Sequence, residues 1–378
     1  MCADKQISYS EWGDLILGDK NVYSSENLRK SFYFVNKLID KLDDECDFTD
    51  NEVLNEINER KRELEQAKVQ FRDERNAWQK QNRISARNDA NIGYLSEIIQ
   101  QKGIENFDNH SIPIINNNDN DLAVLLSDLH IGTECSSTFG EFNTDIAKER
   151  LNKYLNEVIK IQKRHNSKNA YICVLGDTIS GLIHLTVQIT NRENIIEQVK
   201  VASELIARFC HKVSEHFENV FVSSVSGNHS RISATGSKDD ALKADRLDDL
   251  VMYIVQGFLS HIQNIHFTEN KLDSTIDYVS IRKQNYLLVH GDYDRITESG
   301  MFRLSSLVGF MPDGVFIGHK HTPEYHEING IKVIQSGSLV GGGSDDYTIE
   351  KRLYGKPSQT ICVCTDTGID CIYNVQLS

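Results

Sequence analysis

Residues 122–130 read LAVLLSDLH, and the fold turns on how that stretch is taken. A short apolar run that stops at a polar tail reads as a strand delivering its C-terminal residues to a sheet edge, where the sites of α/β proteins collect. Asp128 and His130, two apart on an extended chain, then point the same way. The pattern recurs downstream. AYICVLGDTISG (170–181) reaches Gly176 and Asp177, and FVSSVSGNHSR (221–231) reaches Gly227, Asn228 and His229. YLLVHGD (286–292) ends in His290, and GVFIGHKH (314–321) ends in His319 and His321. One such ending says little, since a stray pair of histidines is common in loops. Five apolar runs that stop at Asp, His or Asn, often beside a Gly that lets the backbone approach closely, point to a shared metal-binding edge.

Working outward, strands are expected at 122–127, 170–175, 220–225, 277–282, 286–289, 315–317, 331–335, 360–364 and 369–374, with helices over 144–165, 193–217 and 239–261. The early strand–helix alternation, followed by strands without helices, predicts two sheets packed face to face with helices outside. The fold class is therefore α/β, a four-layer α-β-β-α sandwich over 122–378 preceded by an all-helical N-terminal region. The segment SIPIINNNDND (111–121), with its Pro and its run of Asn and Asp, reads as the linker between them.

Residues 1–50 read as a small module of two short helices around a GDK turn. Leu28, Phe32, Val35, Leu38, Ile39 and Leu42 keep the helical period behind a Ser cap. The pair is either a helix-turn-helix that contacts DNA or plain helix packing. Residues 51–110 form a polar helical arm whose apolar residues are too sparse for a sustained heptad. Between Arg60 and Arg87 nine basic residues stand against four acidic ones, inside a chain whose net charge is −14. That stretch is either a solvated connecting helix or an arm that tracks phosphates. Trp12 and Trp78 read as packing residues.

The overall acidity gives no general attraction to nucleic acid or an anionic membrane, and no apolar run is long enough to span a bilayer. Eight scattered Cys without a C-x-x-C fit a reducing compartment, with Cys362 and Cys364 as core residues of one strand. The expected location is the cytoplasm.

In order, D-x-H, G-D, G-N-H, H-G-D and G-H-x-H resemble the motif set of the calcineurin-like metallophosphoesterase superfamily over roughly residues 122–339. GLIHLT (181–186), the GNHSR stretch and SDDYTIEKRLYGKPSQTI (344–361) resemble phage-borne members. The resemblance implies a dinuclear site. Asp128, His130, Asp177 and His321 would hold one ion; Asp177, as a bridge, with Asn228, His290 and His319 would hold the other. It also implies phosphoester hydrolysis by a hydroxide bridging the two ions. The cofactor is then two divalent transition-metal ions, Mn first, with Fe or Zn as alternatives, because the donors are carboxylate, amide and imidazole without thiolate.

By the same resemblance His229 is the imidazole that protonates the leaving alkoxide or stabilises the phosphorane, so the catalytic pair is His229 and Asp177. Arg231 and His184 are candidates for binding the substrate phosphate, while Asp292 and Asp294 read as turn residues or partners that orient a ligand His. A phosphodiesterase or nuclease acting on nucleic acid, similar to the SbcD-type branch, fits the basic arm. A phosphatase on a phosphoprotein or small nucleotide fits the acidic total, and a binding protein with a vestigial site is the remaining alternative. The helical arm could also join copies of the chain into a homo-oligomer.

Overall fold

The apolar runs become the strands of two sheets. A computed structural model describes residues 107–117, 119–137, 140–182, 191–232, 246–341 and 355–378, with scattered helical positions between 30 and 72. The chain divides into two compact units, Met1–Asn82 and Arg83–Ser378. In the first, residues 33–38 and 59–64 are helical, and Arg60 pairs with Glu63 one turn on at 3.0 Å. Trp12, Trp78 and most of the expected 1–50 module and 51–110 arm lie outside the described residues.

In the second unit the six-stranded sheet runs β13-β12-β1-β4-β5-β6. Its strands are β1 (Asn120–Leu126), β4 (Asn169–Val174), β5 (Asn219–Ser224), β6 (Ile265–Phe267), β12 (Ser358–Thr365) and β13 (Gly368–Gln376). The five-stranded sheet runs β10-β11-β9-β8-β7, from β7 (Ile276–Ile281), β8 (Gln284–Val289), β9 (Gly314–Ile317), β10 (Glu324–Ile328) and β11 (Ile331–Gln335). A small hairpin pairs β2 (Cys135–Ser137) with β3 (Gly140–Phe142). The helices are α1 (Thr144–His165), α2 (Ile195–Ser214), α3 (Leu247–Leu259) and α4 (Glu298–Val308).

β1 shows why these residues form a central strand. All seven are buried. Leu122, Val124 and Leu126 join a cluster with the apolar faces of α1, α2 and α3, whereas Ala123 and Leu125, turned the other way by the pleat, join Leu288, Phe316 and Ile334 of the second sheet. Cys362 and Cys364 lie in that same inter-sheet cluster. On the far face of the second sheet, Leu287, Val289, Val315 and Ile317 pack with Met301 and Leu304 of α4.

Local signals delimit the helices. The Asn143 side chain accepts from the backbone N–H of Asp145 and Ile146, capping α1, and Asn166 closes it in the left-handed region at φ 49°. Ala147, Leu151, Tyr154, Val158 and Ile161 give α1 its buried stripe. The later run of strands is not free of helices, contrary to the expectation. α4 lies between β8 and β9 and makes them a parallel pair, Leu287 opposite Val315 and Val289 opposite Ile317.

β1 opens at Asn120, inside the stretch read as linker. Just before it, Phe107 is buried against the rings of His211 and Phe258, at 5.2 and 6.2 Å between centroids, and Ile115 is buried as well. Asn117 donates to the His165 and Asn166 carbonyls at 3.2 Å. No helix among the described residues is long and apolar enough to cross a membrane, and the described cysteines are free thiols.

Candidate metal centre

Strand direction assembles the site. β1, β4 and β5 are parallel neighbours in one sheet, and β8 and β9 are parallel neighbours in the other, so each set ends along one edge. Pairing continues past the strands. Asp128 N–H donates to Gly176 O at 3.1 Å, His130 N–H to Asp177 O at 3.0 Å, and Gly318 N–H to His290 O at 2.9 Å. The two edges meet where His319 N–H donates to Asp128 Oδ2 at 2.9 Å and the His290 imidazole reaches Leu175 O at 2.8 Å.

The backbone at this edge is unusual for its residue types. Asp128, His130, Asp177, His319 and His321 all have φ between 45° and 70°, the left-handed region that non-glycine residues rarely occupy. Such conformations persist when the surroundings over-determine them, and they concentrate at functional sites. Gly176 beside them sits at φ +86°, where a Cβ would also run into the Gly227 backbone of the neighbouring loop.

Three groups of side chains converge closely enough to hold an ion: Asp128 with His130 and His321, His130 with Asp177 and His229, and Asp177 with His290 and His319. In the first, His130 Nε2 lies 3.7 Å and His321 Nε2 3.4 Å from Asp128 Oδ1, and the two ring nitrogens are 3.1 Å apart. Asp128 Oδ2 takes hydrogen bonds from Ser127 Oγ and His319 N, but Oδ1 is buried with no hydrogen-bond partner. In the third, His290 Nε2 stands 3.0 Å from both Asp177 Oδ2 and Asn228 Oδ1. Because Nδ1 of His290 donates to the Leu175 carbonyl, the other ring nitrogen is the one aimed into the site.

The charges are strongly coupled. Burial alone would raise Asp177, yet the adjacent His290 and His229 imidazoles hold its carboxyl far below the usual range. Burial likewise disfavours the Asp128 anion, but His130 and His321 keep it well below its ordinary value. Against its own burial, His290 is lifted to about 10 by the Asp177 carboxylate. Burial pushes His229 and His319 down to about 4. The pocket thus gathers two carboxylates, the neutral imidazoles of His229 and His319, and a His290 ring that holds its proton beside Asp177 and would give it up to a divalent cation. A buried carboxylate oxygen that accepts no hydrogen bond and faces two imidazole nitrogens at 3.4 and 3.7 Å is a cation's environment.

His229 is anchored by Nδ1, which donates to Ser180 O at 2.7 Å, and by its backbone N–H, which donates to Asp177 Oδ1 at 2.8 Å. Its ring stands 4.5 Å from that of His130, close enough to group with the metal-type donors. Arg231 is buried and committed to an ion pair with Asp292, with its guanidinium 5.0 Å above the Tyr293 ring. Asp292 thus partners an arginine. Burial and Asp292 together raise Asp294 to about 6. His184 lies outside the described residues.

One residue at this edge escaped the sequence reading. Asp248, in the first turn of α3, accepts backbone N–H groups from both the Asp177 and the Gly227 loops. In the stretch LDDL it looks like an ordinary acidic residue near a helix start, and only its burial at 2 % exposure distinguishes it.

No protein-family model matches the chain. It is 22% identical over 365 residues to the SPbeta prophage-derived uncharacterized protein YonJ of Bacillus subtilis strain 168, covering 92% of this chain and 87% of that one. Among solved structures it is similar to a novel archaeal phosphodiesterase at 14% identity and TM-score 0.31, covering 68% of this chain and 99% of that one. It is also similar to Vps29 from Entamoeba histolytica complexed with zinc, at 13% identity and TM-score 0.31 with the same coverages. A hypothetical protein, PH1004 of Pyrococcus horikoshii OT3, aligns at 11% identity and TM-score 0.35, covering 68% of this chain and 88% of that one. At these levels of similarity the functional reading rests on the chain's own residues.

Proposed function

We propose that the chain is a dinuclear metal-dependent phosphoester hydrolase, most specifically a phosphodiesterase or nuclease acting on nucleic acid. The observation that carries the reading is the convergence of Asp128, His130 and His321 beside Asp177, His290 and His319, with Asp128 Oδ1 buried between imidazoles and accepting no hydrogen bond. In this reading Asp128, His130, Asp177 and His321 hold one ion, and Asp177, Asn228, His290 and His319 hold the other, Mn before Fe or Zn. Two divalent cations there would neutralise phosphoryl oxygens and lower the pKa of water.

The chain's own residues do the rest. Asp177 faces both halves of the site, and the carbonyls of Leu175 and Ser180 fix the ring orientations of His290 and His229. With Nδ1 engaged, His229 presents a bare Nε2 to the site, where it would take up the proton released by the attacking water and pass it to the leaving oxygen of the ester. Arg231 pairs with Asp292 through Nη2 and keeps a buried Nε without a hydrogen-bond partner, so a phosphate oxygen would compete with Asp292 for the guanidinium or take its Nε.

The same proposal carries the four-layer α-β-β-α arrangement, supported by three separate apolar clusters, one between the sheets and one on each outer face. It also includes a phage origin, for which the prophage-derived relative speaks, and action in the host cytoplasm. The residues before Phe107, which itself packs into the core of the second unit, are then a targeting or assembly arm, with the basic stretch from Arg60 to Arg87 as its contact to nucleic acid. Hydrolysis of bis(p-nitrophenyl) phosphate, p-nitrophenyl phosphate, and single- and double-stranded DNA, compared side by side with added Mn²⁺, tests the reading. Preference for the diester and for DNA is expected. Preference for the monoester favours the phosphatase, and no turnover of any substrate refutes hydrolysis.

A further inference from the structure

Asp248 directs both of its carboxylate oxygens at the loops of the site. Its Oδ2 accepts Asp177 N–H at 3.1 Å and Gly227 N–H at 2.9 Å, and its Oδ1 accepts Thr178 N–H at 3.1 Å and the Thr178 hydroxyl. These donors lie on two loops only, the one after β4 that carries Asp177 and the one after β5 that carries Asn228. The start of α3 grips the second loop twice more. Arg246, also buried, donates to Gly227 O at 2.8 Å, and Ser226 Oγ donates to Asp249 at 2.7 Å. Leaving an anion at 2 % exposure is costly unless donors surround it, and here they are backbone amides of the metal loops themselves.

We propose that Asp248 is a positioning residue for the second metal position: by tying the Asp177 loop to the Asn228 loop it sets the spacing between the bridging carboxylate and the amide ligand. The inference rests on the dinuclear reading above. The first position depends on it less, because Asp128 is held by Ser127 Oγ and His319 N–H, while the loop carrying Asp128 and His130 pairs directly with Gly176 and Asp177. No other side chain of similar size replaces the carboxylate. An asparagine offers one acceptor oxygen, and its NH₂ would face either two backbone donors or the Thr178 N–H and hydroxyl.

The test uses the full-length chain, wild type and Asp248→Asn. Hydrogen exchange on the metal-free protein reads the tether directly. Peptides covering 174–180 and 225–229 should exchange about tenfold faster or more in the variant, the effect of losing an amide's buried partner, while those from α1 and β12 stay at wild-type rates. Equilibrium dialysis with Mn²⁺ reads the consequence. The weaker of the two ions should lose roughly 10–100-fold in affinity, the usual effect of removing an outer partner of a ligand, and the tighter ion less than about threefold. Thr178→Val, which deletes one donor and leaves the carboxylate, should weaken the second ion by a few-fold, about 2–5, and serves if Asp248→Asn does not fold. Wild-type exchange rates in both loops, or equal weakening of both ions, would overturn the proposal. A wild-type chain that binds fewer than two Mn²⁺ would refute the dinuclear reading instead, and the exchange data alone would then decide whether Asp248 is the tether.

Discussion

Replacing Gly227 with alanine adds one methyl group where two loops of the site come into close contact. Its Cβ would lie 2.5 Å from Asp177 N and 2.7 Å from Asp177 Cγ, where ordinary contact begins at 3.4 Å. Because Gly227 does not sit in the left-handed region, alanine costs nothing in backbone conformation, and the effect is steric alone. The backbone of Asp177 must therefore retreat by about 0.9 Å, the difference between those distances, or the Gly227 loop must do so. Either movement strains the hydrogen bonds to Asp248 and shifts a carboxylate that faces both halves of the metal centre. Overpacking of this kind costs about 1–3 kcal/mol, and a displacement near 1 Å in a reacting constellation costs about 10²-fold in rate. The assay is kcat for bis(p-nitrophenyl) phosphate at saturating Mn²⁺, with a thermal melt of the metal-free protein alongside. A fall of about two orders of magnitude, with Tm lowered by roughly 2–4 °C per kcal/mol lost, is expected. Full activity would show that the spacing of these two loops does not govern the chemistry.

Asp177→Asn should be the most damaging single change, abolishing turnover and releasing both ions in elemental analysis, because Asp177 belongs to two of the three donor groups; near-normal activity would exclude it as the bridge. His229→Ala should lower the rate by about 10²–10⁴ while metal content stays high, with p-nitrophenyl esters losing less than alkyl esters; equal losses on both would assign His229 a structural role. Tyr154→Phe removes a buried hydroxyl that reaches Leu125 O at 3.0 Å and Thr360 O at 2.8 Å, and it should cost about 0.5–1.5 kcal/mol in denaturant unfolding with kcat unchanged. A chain beginning at residue 104, which keeps the buried Phe107, should hydrolyse the small diester normally but act less well on long DNA, and the full chain's DNA preference should fall steeply with salt. An unchanged ratio of long to small substrate would mean that the N-terminal arm does not track nucleic acid.

The sheet edges were legible for a physical reason. Parallel strands covered on both faces demand unbroken apolar runs, so LAVLL, YICV and GVFI announce themselves, and a polar residue at the end of each marks the edge. α4 was not, because ESGMFRLSSLV carries a Gly and three Ser and buries only Met301 and Leu304 on its inner face. β10 was missed because EYHEI is an edge strand without a buried residue, and β6 because three residues are too few to show a period. At the site the residues that converge could be read from the chain, but their left-handed backbone could not. Only the glycines beside Asp177 and His319 hint at it. Asp248 was invisible for a different reason: its importance lies in the backbone groups it meets, 70 and 21 positions away in the chain, which no local pattern encodes.

The most direct test of the account is a Mn²⁺ titration of chelator-stripped protein, followed by hydrolysis of bis(p-nitrophenyl) phosphate. The convergence of Asp128, His130, Asp177, His290, His319 and His321 predicts negligible turnover in the stripped protein and a rate that rises to its plateau at two Mn²⁺ per chain. Full turnover without metal, or a plateau already reached at one ion per chain, would contradict it.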